Sequence, residues 1–183
     1  SSNASLFPAE AYTAIVDVRF LNTGGLHVRG VDLSARWGTA WGEDRLDVTG
    51  SATWLADYER QVTPAAAWVE LAGVTGRPSR LRAQGALTWS HRDLATTFGV
   101  NFVDGSRAPD GRSVGSWTTA DLQVRWRPAS NHRLTESLDL ALSVRNLFDA
   151  EPPFYDAPQG IGYDPANADP LGRVISLQLT KRW

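Results

Sequence analysis

Residues able to do chemistry are sparse in this chain and scattered along it. There are three histidines, His27, His91 and His132, each in or beside a different turn. None stands at the spacing that would pair it with another as a metal ligand. Cysteine is absent, which excludes disulfides, thiolate metal centres and a cysteine nucleophile. No Gly-x-Ser-x-Gly elbow presents a serine to a base. Gly105-Ser106-Arg107 reads as part of a turn and not as a phosphate loop. The segment Asp164-Pro165-Ala166-Asn167-Ala168-Asp169-Pro170 offers oxygen ligands. It lacks the spacing and the glycine of an EF-hand loop, so its prolines and Asx residues read as successive turns. Neither catalysis, nor a cofactor, nor a metal centre is expected. The remaining candidates are aromatic rings in long connections: Tyr58 and Trp68 in one, Phe154, Tyr155 and Tyr163 in another. Such rings can stack on a ring-bearing ligand, or they can pack loop against loop or sit among lipid headgroups.

The elements that must position these groups are strands. The last segment shows the pattern most clearly. From Gly172 onward, Ile175, Leu177, Leu179 and Trp183 share one face, while Ser176, Gln178, Thr180 and Arg182 share the other. The same period of two recurs in segments 15–22, 27–37, 44–55, 79–90, 94–102, 117–127 and 137–146. On segment 27–37, Val31, Leu33, Ala35 and Trp37 oppose Asp32, Ser34 and Arg36; on 117–127, Leu122, Val124 and Trp126 oppose Asp121, Gln123 and Arg125. A period of two is the signature of strands with unlike faces, and no segment sustains a helical period. Each has about the 9 to 11 residues that a tilted strand needs to cross a bilayer.

The polar faces carry charges of both signs, which a dry core would penalise and a wet lumen tolerates. No apolar run approaches the roughly 20 residues of a membrane helix, but alternating barrel strands average to mild polarity in any case. The eight Trp are many for a chain of this length. Trp37, Trp54, Trp89, Trp126 and Trp183 stand where alternating runs end, as interfacial aromatics would.

Connections alternate in length. Residues 39–43 and 91–93 are short links, 57–78, 103–116 and 148–171 are long ones, and 128–136 is intermediate. Membrane barrels keep short turns on the periplasmic side and long loops outside. With Trp183 on the periplasmic side, every long link faces outward. The exception is the link 23–26, which must be a tight glycine-bearing hairpin. The net charge of −2 offers no electrostatic case for nucleic acid.

Three stretches together resemble the C-terminal barrel portion of a TonB-dependent outer-membrane receptor. The first is Asn22-Thr23-Gly24-Gly25 followed by Val28-Arg29-Gly30-Val31-Asp32-Leu33. The second is Ser116-Trp117-Thr118-Thr119-Ala120-Asp121-Leu122. The third, and most specific, is Asn146-Leu147-Phe148-Asp149 with Pro152-Pro153-Phe154, Gly162-Tyr163-Asp164 and Gly172-Arg173. Lys181 departs from the family's terminal sorting signal, which is usually apolar or aromatic at that position; a lysine can snorkel its amine to water there.

The resemblance implies an all-β antiparallel up-and-down meander of about eight strands, part of a transmembrane barrel, or closed as a small barrel in isolation. It implies uptake of a scarce nutrient of the siderophore, cobalamin or oligosaccharide class, with no enzymatic role. The implied partners are outer-membrane lipid, the small nutrient, TonB through N-terminal regions not present in this sequence, and the barrel-assembly machinery through the C-terminal strand. Residues 1–5 resemble the scar of a cleaved tag, and 6–183 are expected to be the barrel segment without its plug or earlier strands. Asn146, Leu147, Phe148 and Asp149 are expected to shape the chain as it leaves the membrane, with Pro152 and Pro153 stiffening the exit. Two alternatives differ in kind: a self-contained eight-stranded barrel with a structural or adhesive role, and a soluble lipocalin-type barrel whose apolar face points inward.

Overall fold

The alternation is realised as one antiparallel meander. A computed structural model describes residues 24–128, 138–158 and 160–181. The long strands are β1 (Leu26–Trp41), β2 (Asp44–Arg60), β4 (Leu81–His91), β5 (Leu94–Val103), β8 (Trp117–Trp126), β9 (Leu138–Arg145) and β10 (Val174–Lys181). Each pairs with its predecessor, in the order β1-β2-β4-β5-β8-β9-β10. Short strands lie inside the long connections: β3 (Val69–Glu70) extends the sheet beside β2, while β6 (Ser106–Arg107) pairs with β7 (Ser113–Val114). Ser106 and Arg107 are thus a strand and not the turn that their neighbours suggest. The expected first segment, 15–22, lies outside the described residues, as do Asn22, Thr23, His132, Arg182 and Trp183.

Register keeps the two faces apart across the whole sheet. Trp37 pairs with Val48, Val48 with Leu87, Leu87 with Phe98, Phe98 with Leu122, Leu122 with Val144 and Val144 with Ile175. This apolar row crosses all seven long strands without a polar interruption. One residue along, Gly38, Asp47, Thr88, Thr97, Gln123, Ser143 and Ser176 form a polar row. A slip of one residue at any pair would mix the faces, so the pattern specifies the register.

Among the described residues nothing packs against the apolar face. Leu33 is 66% exposed and Leu177 71%, and no large side chain is fully buried among the described residues. An apolar interior of the lipocalin kind is therefore not what this sheet builds. Its two edges, β1 and β10, are not joined to each other, so the described sheet is open and not a closed small barrel.

Several boundaries differ from those read from sequence. β1 continues to Trp41, because Thr39 and Trp41 carry the alternation past Gly38, and the link to β2 shrinks to Gly42 and Glu43. β2 runs to Arg60, which places Tyr58 on a strand and not in a connection. Its extra length follows from a bulge: Arg29 pairs with Asp57, but Gly30 pairs with Leu55, leaving Ala56 unpaired in the ladder. A Cβ on Gly30 would lie 2.6 Å from the Trp54 carbonyl oxygen, so this close approach requires the glycine. The Ala56 carbonyl accepts a hydrogen bond from the Arg80 guanidinium at 3.0 Å.

Candidate functional site

The polar face lines an open concavity of about 760 Å³. Ser34 and Arg36 from β1, Thr49 and Ser51 from β2, Gln84 from β4, Asn101 from β5, Asp121 and Gln123 from β8, and Ser143 from β9 line it. All are inward members of the period-two pattern, so the polar side is the concave one.

Its groups are paired, both across strands and along them. Thr53 donates to Asp32 at 2.6 Å, the Thr88 and Thr97 hydroxyls meet at 2.9 Å, and Gln123 donates to Ser143 at 3.1 Å. Arg45 holds Asp47 through two bonds of 2.6 and 2.7 Å. Arg125 grips both oxygens of Asp139, and Arg127 adds a third bond at 2.9 Å. Compensated charge of this kind suits a hydrated wall. The Ala86 and Ala141 positions on the same face are small, as expected of inward residues.

At the end bearing the long connections, the second and third sequence motifs meet in one buckle. Asp121 accepts the Asn146 backbone N–H at 2.9 Å with one oxygen and the Asn101 amide at 2.9 Å with the other. The Leu147 N–H donates to the Ala120 carbonyl at 2.6 Å. The Asn146 side chain bridges to Ala150 twice, donating to its carbonyl at 3.0 Å and accepting its N–H at 2.8 Å. The Trp117 indole also donates to the Ala150 carbonyl, at 3.4 Å. Asn146 and Asp149 both take left-handed backbone, with φ of 49° and 56°, which Asn and Asp tolerate better than other side chains. Asp149 then accepts the Arg173 N–H at 2.7 Å. A Cβ on Gly172 would sit 2.5 Å from that same carboxylate oxygen, so the glycine makes room for the bond. Phe148 is 73% exposed and takes no part in the buckle's hydrogen bonds.

Beside the buckle, a cleft of about 340 Å³ is lined by Asn101, Trp117, Thr119, Asp121, Arg145 and Asp169, among others. Sequence reasoning did not single out this group. Its signal was available in the inward parity of Asn101, Thr119 and Asp121, but the contribution of Asp169 from a connection carried none. Arg145 and Asp169 approach to 3.6 Å across it.

The loop aromatics named from sequence fall into two sets. Phe154, Tyr155 and Tyr163 share the last connection, where the Tyr155 N–H donates to the Gly162 carbonyl at 3.0 Å. Phe154 is 76% exposed, and Tyr155 and Tyr163 are half-buried. Trp68 lies over Gly25, with a ring carbon 2.6 Å from where a Cβ would be, and Tyr58 stands on β2. None of the five lines the cavity or the cleft.

Of the named interfacial tryptophans, Trp54 stands at the outer end of the apolar face, and Trp89 and Trp126 stand near the tight turns. Trp37 is four residues from the end of β1, at mid-depth along the strands, because the strand is longer than the sequence suggested; Trp41 occupies the end instead. Trp89 donates to Asp44 at 2.9 Å, and His91 bonds the same oxygen at 3.0 Å. His27 pairs with Glu59 at 3.2 Å. Among the described residues no group of three or more potential ligands forms a metal site.

The unlike faces, the alternating connection lengths and the buckle of the second and third motifs are consistent with a stretch of barrel wall. The TonB dependent receptor-like β-barrel family matches residues 3–147. The chain belongs to that family. No curated protein and no solved structure matches it. TonB-dependent receptors are outer-membrane receptors and transporters, not enzymes, and in full-length members they engage a ligand and TonB. The matched span covers the first two motifs and ends inside the third, at Leu147.

Proposed function

We propose that this chain supplies wall and outward connections to a TonB-dependent receptor that imports a nutrient of the siderophore, cobalamin or oligosaccharide class. The observation that carries the reading is the pairing of an exposed face, crossed by one unbroken apolar row, with a concave polar face on which Asp47 and Asp139 are held by arginines. Lipid accounts for the first and a water-filled, plug-bearing lumen for the second. Ligand contact would fall to Tyr58 near the outer end of β2, to the connection aromatics Trp68, Phe154, Tyr155 and Tyr163, and to the cleft at Trp117. The plug and the TonB contact belong to parts of the receptor other than the described strands, and β10 is the strand offered to the barrel-assembly machinery. The Asn146, Leu147, Phe148 and Asp149 segment, with Gly172 and Arg173, has a shaping and not a ligand-binding role in this reading.

Cells producing the receptor that contains this chain should show it in the outer-membrane fraction. They should take up one member of those ligand classes only while the inner membrane is energised. Recovery in the soluble fraction, or uptake that survives loss of the proton gradient, would overturn the proposal.

A further inference from the structure

Most of the best-buried described residues lie outside the meander, although Ala120 at 6% and Ala141 at 9% are in it. Ala72, Thr75, Ser79, Ala108, Val114, Ala157 and Asp164 are each at most 9% exposed, and all belong to the three outward connections 61–80, 104–116 and 146–173. Two backbone bonds join the first two connections: Arg107 N–H to the Gly73 carbonyl at 2.7 Å and Thr75 N–H to the Arg107 carbonyl at 3.1 Å. The third connection is fastened to the first through a single turn. One Asp164 oxygen accepts the Gly76 N–H at 3.1 Å and the Asn167 amide at 2.7 Å, and the other accepts the Ala166 N–H at 3.0 Å. Asn167 spends its second amide hydrogen on the Arg77 carbonyl at 2.8 Å. Arg82, an inward residue of β4, donates to the Ala166 carbonyl at 2.9 Å and to the Asn167 side chain at 2.7 Å. The turn therefore lies over the polar face and not away from the rim.

We propose that residues 164–167 form a strap that locks the three outward connections into one fixed cap over this sector of the lumen mouth. The oxygens of Asp164 are already committed to N–H donors, which explains why the acidic turn is built as a clamp and not as a cation loop. A fixed cap means that this sector does not act as a set of independent flaps, and that any opening of the mouth occurs elsewhere around the rim. The inference stands on the hydrogen bonds within the cap and does not depend on the transport reading.

Amide hydrogen exchange of the full chain in detergent micelles, read by mass spectrometry, tests it. Peptides covering 72–78 and 104–108 should exchange far more slowly than the exposed tip at 109–112. Asp164→Ala should accelerate both 160–168 and 72–78 by roughly tenfold or more, as expected for losing bonds to a buried carboxylate, while strand peptides within 84–100 stay unchanged as the folding control. Asn167→Ala, which spares the Asp164–Gly76 bond, should accelerate 72–78 by less; it is the variant to read if Asp164→Ala does not fold. Wild-type exchange at 72–78 as fast as at the tip would overturn the strap. So would variants that loosen 160–168 alone.

Discussion

The assignment of faces can be tested with a single pair of arginines. Phe98 and Thr97 are neighbours on β5 and point to opposite sides. Phe98 belongs to the unbroken apolar row, between Leu87 and Leu122; Thr97 sits between Thr88 and Gln123. Depth follows from register. On β2, Val48 of that row lies between Asp44, level with the tight-turn belt, and Trp54, at the other belt. Ten residues at about 3.4 Å each, tilted by about 40°, span ~26 Å, close to the apolar height of such barrels. Phe98 is then ~10 Å from the inner belt, within a few ångström of the midplane by the same geometry. An arginine on the lipid face at that depth costs about 2–4 kcal/mol. On the hydrated face, Thr97→Arg should cost no more than about 1 kcal/mol, the scale of ordinary surface changes. The expected gap of ~2–3 kcal/mol is roughly a hundredfold in the folding equilibrium. Denaturant unfolding of the chain in lipid vesicles, followed by tryptophan fluorescence, measures it. Equal destabilisation, or a larger loss for Thr97→Arg, would mean that the faces are assigned the wrong way round.

Three further outcomes are expected. Asn146→Ala removes both bonds to Ala150 and places a Cβ-bearing residue without a local partner at φ 49°; it should cost about 2–3 kcal/mol by equilibrium unfolding, and Asn146→Gly should recover about 1 kcal/mol of that by relieving the backbone alone. Gly172→Ala should displace the Asp149 carboxylate from the Arg173 N–H and cost about 1–2 kcal/mol, but little in an Asp149→Ala background; additive losses in that double-mutant cycle would show that the contact is not the cause. At the β6–β7 tip, the Arg112 backbone N–H at 3.0 Å, and then its guanidinium at 2.6 Å, hold the Asp110 carboxyl below its usual 3.8. Because the folded value is lowered, this contribution to tip order is present above the usual value and disappears as pH falls through the folded one. An NMR titration of the Arg112 amide should have its midpoint below 3.8. Arg112→Ala should raise that midpoint only part of the way, since the backbone donor remains; an unchanged midpoint would exclude the side chain's share.

How much of this was legible in the sequence depended on how local the cause was. Face identity follows from parity within a strand, so Leu122 against Gln123, or Leu46 against Asp47, could be read from neighbours alone. The strands' full lengths could not. β2 reaches Arg60 only because the bulge opposite Gly30 lets it stay paired with β1, and that depends on the partner strand. The same dependence moved Tyr58 onto a strand, whereas Trp37 lies at mid-depth because β1 continues in alternation to Trp41.

The second and third family motifs were visible as separate words. Their meeting was not: Asp121 and the Asn146 backbone are 25 residues apart, and Asp149 and the Arg173 backbone are 24 apart. The cap was hidden more completely, because Asp164 and Gly76 are separated by 88 residues and neither carries a periodic signal. By itself the sequence determined which side chains share the apolar face and which share the polar one, since that choice is made one residue at a time by the pleat. Only the tertiary structure decided which carboxylates became clamps, because a hydrogen bond needs two groups brought within about 3 Å, and for Asp121, Asp149 and Asp164 the donors come from distant turns of the meander.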